Sequence, residues 1–89
     1  MSQDWLRVAG DLAERAADEA TGDPERRLRD LAAQLHTLAE RDRGPDHGRI
    51  ARIENIINEL REEIGEEATE ELDRCHDEVV RYRETVEGV

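Results

Sequence analysis

The chain is 89 residues long, and its 13 basic residues are all arginine, set against 24 acids for a net charge of −11. With 42% charged residues, no phenylalanine, one tryptophan and one tyrosine, it holds apolar material for one small domain only. The acid excess repels nucleic acid and anionic membrane, no apolar run is long enough to span a bilayer, and the lone Cys75 excludes an internal disulfide.

The spacing of apolar residues predicts helix throughout, in a single domain over 1–89. A first helix covers about 3–20, with Trp5, Val8, Ala9, Leu12, Ala13 and Ala16 on one face. Thr21-Gly22 ends it, glycine suiting the left-handed position after a helix. Asp23 is placed to cap a second helix over about 24–42, with Pro24 in its first turn. Leu28, Leu31, Leu35 and Leu38 then succeed one another in a 3-4-3 rhythm. Arg43-Gly44-Pro45 breaks the chain, and Asp46 caps the next helix.

The last segment, about 46–87, carries a stripe of Ile50, Ile53, Ile57, Leu60, Ile64, Ala68, Leu72, Cys75, Val79, Tyr82 and Val86. Ile64, Ala68 and Leu72 are separated by four and four, and Gly65 weakens the helix there, so a bend is expected at 65. An unbroken helix of that length spans about 60 Å, roughly twice either of the first two. The expected fold is therefore all-α: a long antiparallel helical hairpin whose first arm is broken near Gly22-Pro24. In that register Trp5 packs near Tyr82 and Val86. A two-layer hairpin buries only one stripe per helix, and Ile56, Ala32, Ala39 and Val80 widen the apolar face. The expectation is a homodimer that completes a four-helix bundle through Leu28, Leu31, Leu35, Ile53, Ile57 and Leu60.

Charge is uneven along the chain. Arginines gather around the expected tip, where Arg41, Arg43 and Arg49 are candidate partner contacts. Glu62, Glu63, Glu66, Glu67, Glu70 and Glu71 form an acidic waist that repels itself at i,i+4. Catalytic chemistry finds no support, with one serine and no Gly-rich phosphate loop. Cys75 and His76 are adjacent on a helix and point about 100° apart, so they do not chelate one ion, and Cys75 reads as a small core hydrophobe. His36 and His47 read as surface residues. No cofactor or metal is expected.

The Asp4-Trp5-Leu6 opening, the Pro45-Asp46-His47-Gly48-Arg49-Ile50 segment and the close from Tyr82 to Val89 resemble small haloarchaeal proteins grouped as a family of unknown function. The resemblance implies a helical fold and a halophilic cytoplasm, and it carries no activity or site residues. The functional expectation is a non-enzymatic interaction or scaffold module in a salt-rich cytoplasm. Two other readings stand beside it. One is an acidic decoy for a basic, nucleic-acid-binding protein surface, and the other is a thiol- or metal-responsive switch at Cys75 and His76.

Overall fold

A computed structural model describes residues 4–41 and 47–85. All regular structure among them is helical: α1 (Asp4–Asp18), α2 (Gly22–Ala39), α3 (His47–Arg61) and α4 (Glu66–Thr85).

The α1–α2 turn arises from local chemistry. Glu19 and Ala20 donate backbone bonds to the Ala16 and Ala17 carbonyls at 3.0 and 3.1 Å, tightening the last turn of α1. Gly22 then reverses the chain at φ 72, a left-handed conformation costly for any residue with a Cβ. The cap of α2 differs from expectation. Thr21 is the extended N-cap and makes no side-chain cap bond. Asp23 lies inside the first turn, where its carboxylate accepts from Arg26 at 3.1 Å.

The expected long arm is corrected more substantially. The last segment is two helices separated by a turn at 62–65, so no 60 Å rod exists, and the longest dimension of the molecule is 38 Å. Four helices of one chain pack in a ring in which α1 adjoins α2 and α4, and α3 completes the circuit between them. Neighbours run antiparallel, as the cross-links require: Asp11 meets His36, Asp18 meets Arg29, Glu59 meets Arg27, and Glu54 meets Arg83. The hairpin is thus replaced by an up-down-up-down bundle closed within a single chain.

The ring is uneven, and side-chain size explains why. α1 lies closest to its neighbours because Ala9, Ala13, Ala16 and Ala17 are buried and let backbones approach. α3 stands further off, its seams filled by Ile50, Ile53, Ile57 and Leu60, all fully buried. Because α1 faces two helices, its buried face includes Leu6 and Ala17, and Val8 is left 42% exposed, contrary to the predicted stripe. Trp5 packs half-buried against the core that contains Tyr82, while Val86 lies outside the described residues.

The residues assigned to assembly between copies are consumed inside the chain. Leu28, Leu35, Ile53, Ile57 and Leu60 are 0% exposed and Leu31 is 2% exposed, so none offers a surface to a second folded copy. Ala32 and Ala39 are buried too, and Ile56 and Val80 are half-buried. Four helices supply internally the contacts that a dimer of hairpins would have supplied between chains.

Candidate functional site

The ring topology places the α1–α2 and α3–α4 turns at one end of the bundle. The six glutamates expected at a waist are therefore at a pole, joined by the end of α1 and the start of α2. Residues 12–30 and 55–75, which form this half, carry fourteen Asp and Glu against six Arg. The rest of the described chain carries seven acids and six arginines, so it is close to neutral. The charge of the molecule is concentrated at one end.

Five of the six arginines at the pole do not relieve this, because they are engaged within the chain. Arg26 pairs with Asp23, Arg27 reaches Glu59 at 2.9 Å and Glu63 at 3.1 Å, and Arg29 bridges Glu25 and Asp18. Arg61 lies 2.8 Å from Asp73, and Arg74 lies 3.6 Å from Glu71. Two of the predicted six glutamates, Glu63 and Glu71, are thus neutralised. Glu62, Glu66, Glu67 and Glu70 are exposed and have no arginine partner among the described residues. Glu66, Glu67, Thr69, Glu70 and Asp73 line an open depression on α4. Glu66 and Glu67 occupy the first turn of α4, where the helix dipole favours negative charge and holds them in place.

One member of the pole was not legible as such. Glu19, at the end of α1, has its carboxyl pKa raised, first by a hydrogen bond with the Glu67 carboxyl and then by the Glu67 charge, with smaller contributions from burial, Glu71 and Asp18. The close approach of α1 and α4 forces these carboxyls together. A carboxyl whose pKa is raised on folding contributes stability at low pH that is lost as pH rises through its folded value. Glu67→Gln is therefore expected to stabilise the chain at pH 7 in dilute buffer. The gain should shrink at about pH 4, where Glu19, its pKa raised, holds its proton and no longer adds a like charge beside residue 67. Urea titrations of both proteins at the two pH values check this.

The remaining candidates are dispersed. Arg41 is exposed and Arg49 half-buried, both at the near-neutral pole, while Arg43 lies outside the described residues. The expected basic tip is thus an end with nearly balanced charge. Cys75 is buried, and burial, aided by the Glu78 charge, pushes its thiol up to about 12. No group of three or more His, Cys, Asp or Glu able to hold a metal occurs among the described residues. None of the helices is long and apolar enough to cross a membrane among those residues.

His36 is not the free surface residue it resembled. Its ring lies over Gly10 in the α1–α2 seam, and its Nε2 is 2.9 Å from Asp11 Oδ1. A Cβ on Gly10 would come within 2.5 Å of that ring, so the glycine is the slot that admits it. Spacing alone gives no signal for such a fit, since it depends on two helices meeting at one level.

Residues 1–85 match a family of unknown function, DUF7553. The chain belongs to this family. The match spans the whole bundle, all four helices included, so the acidic pole lies within the family's own domain. No curated protein and no solved structure matches the chain.

Proposed function

We propose that this chain is a non-enzymatic helical interaction module that presents its acidic pole to a basic protein surface in a salt-rich cytoplasm. The observation that carries this reading is the division of labour at the pole. Five of its six arginines are spent on neighbours within the chain, and none reaches Glu62, Glu66, Glu67 or Glu70. A fixed array of carboxylates on a rigid bundle end can form contact-range ion pairs with a cationic partner, which set register and specificity even where salt screens longer-range attraction. It also imitates the charge, though not the bases, of a nucleic-acid backbone, so a nucleic-acid-binding surface is a natural target. The absence of lysine and the acid surplus suit a haloarchaeal source, where molar salt screens repulsion and short carboxylates keep the surface hydrated. The arginines at the opposite pole and the Cys75–His76 pair have weaker claims, the first because charge there is balanced and the second because the thiol is enclosed.

The test is affinity capture from the native cytosol at its own salt concentration, with bound proteins identified by mass spectrometry. Wild type should retain basic proteins, and the fourfold Glu62, Glu66, Glu67 and Glu70 to Gln variant should lose them. A control with Asp77, Glu78 and Glu84 changed to Gln should keep them. Equal capture by the fourfold variant and wild type would overturn the assignment of the pole.

A further inference from the structure

The two turns at the acidic pole differ in how firmly the backbone commits to reversal. Between α1 and α2, Gly22 stands at φ 72, which no continuous right-handed helix can accommodate. Between α3 and α4, no residue from Glu62 to Gly65 has positive φ. The spiral of α3 even persists into the turn, with Glu62 N–H donating to the Glu59 carbonyl and Glu63 N–H to the Leu60 carbonyl. On the far side, the Gly65 carbonyl already accepts the first helical bond of α4, from Thr69 N–H at 2.9 Å. A Cβ at Gly65 would meet nothing within 4 Å.

The apolar stripe keeps helical phase across this turn as well. Leu60, Ile64 and Ala68 recur at intervals of four, and Ile64 packs half-buried against the core from within the turn itself. A straightened 47–85 helix would carry one unbroken apolar face. Alone, that conformer would strip α4 from the core, but a second chain can restore every contact. Its α4 would fill the same place against α1 and α3, rebuilding the Arg61–Asp73 and Arg83–Glu54 pairs between chains.

Charge sets the direction of the equilibrium. In a straight helix Glu62 would face Glu66, and Glu63 would face Glu67, at i,i+4, extending the existing Glu66–Glu70 and Glu67–Glu71 series. Straightening would also bring two acidic poles together at the centre of the pair. Both effects oppose the open form in dilute buffer and fade when salt shortens the screening length.

We propose that the chain has a second assembly state, a salt-promoted domain-swapped dimer in which the Glu62–Gly65 turn straightens, α3 and α4 fuse, and each α4 completes the other chain's core. This state does not depend on the acidic pole having a basic partner, and it is tested on the chain alone. Light scattering gives the mass in about 0.1 M and about 2 M KCl, where the Debye lengths are roughly 10 Å and under 3 Å. Spin labels at Arg52→Cys and Glu84→Cys in a Cys75→Ser background, diluted into unlabelled chain, report the conformation. The separation within one chain should be near 10 Å between axes in the closed bundle and about 48 Å in the fused helix.

Wild type should be a closed monomer at low salt and should form a dimer with the long separation at high salt. Gly65→Ala, which favours continuous helix in both chains of the pair, should raise the dimerisation constant by roughly twentyfold. Gly65→Pro, which drives residue 64 out of helical conformation, should remain a folded monomer in both salts. A monomer under all conditions in both wild type and Gly65→Ala would overturn the proposal. So would a dimer that keeps the short separation, because that would be two closed bundles in surface contact.

Discussion

Replacing Ile57 with alanine is expected to destabilise the bundle by about 2–5 kcal/mol, the cost of a cavity where a large side chain is fully enclosed. The site lies on α3, the helix that stands off from its neighbours and relies on branched side chains to fill the space. Nearby backbone cannot readily collapse into the void, because the approach of α3 is also fixed by pairs at its edges. Arg27 holds Glu59 and Glu63 on one side, and Asp73 holds Arg61 on the other. Domain stabilities are commonly about 5–15 kcal/mol, so the variant would lose much of its margin. The urea midpoint should fall with little change in slope. A loss under about 1 kcal/mol would mean that α3 relaxes freely, contrary to the packing described.

Alkaline pH is expected to unfold the chain through Cys75. Its thiol is raised from an ordinary 9.0 to about 12, chiefly because burial disfavours the thiolate. Between those values the folded chain holds a proton that the unfolded chain has released, so stability falls as pH rises. Tyr82, also raised by burial, acts in the same direction. The stability of wild type should therefore drop steeply from about pH 9 upward, and Cys75→Ala should flatten that limb while costing stability at pH 7 through lost packing. Labelling by iodoacetamide at pH 8 offers a second readout. The thiolate fraction should be on the order of a thousandfold lower than in an exposed thiol, so modification should track unfolding. Rapid labelling of folded protein would refute the enclosed position of Cys75.

Much of the core was legible because helical periodicity survives any arrangement of the helices. Leu28, Leu31, Leu35, Ile53, Ile57 and Leu60 face inward in a hairpin and in a closed bundle alike. Periodicity says which face is buried, though not against which neighbour, so the same residues suggested contact with a second copy. The reversal at 62–65 was hidden for a related reason. Ile64 stays in phase with Leu60 and Ala68, and one glycine costs a helix about 1 kcal/mol, which tertiary packing overrides. The core decides for the turn: folding α4 back covers α1 and α3 with one chain.

The acidic run at 62–71 was plain from the sequence, but its meaning depended on that turn. In a straight arm it is a waist, whereas at a reversal it becomes an end and gathers Asp18 and Glu19 from α1. Glu19 carried no signal of its own, because one glutamate near a helix end is ordinary. Its contact with Glu67 exists only because small alanines bring α1 and α4 close. The slot at Gly10 for His36 is of the same kind, a property of two surfaces meeting rather than of either helix.

The antiparallel ring also decides how the molecule can be tethered. The start of α1 and the end of α4 both lie at the pole opposite the unpaired glutamates. A polypeptide joined at either end would leave that opposite face, as a handle leaves a brush. Anchored this way, the bundle would hold its carboxylates outward at a distance near its 38 Å length, oriented by its own rigidity.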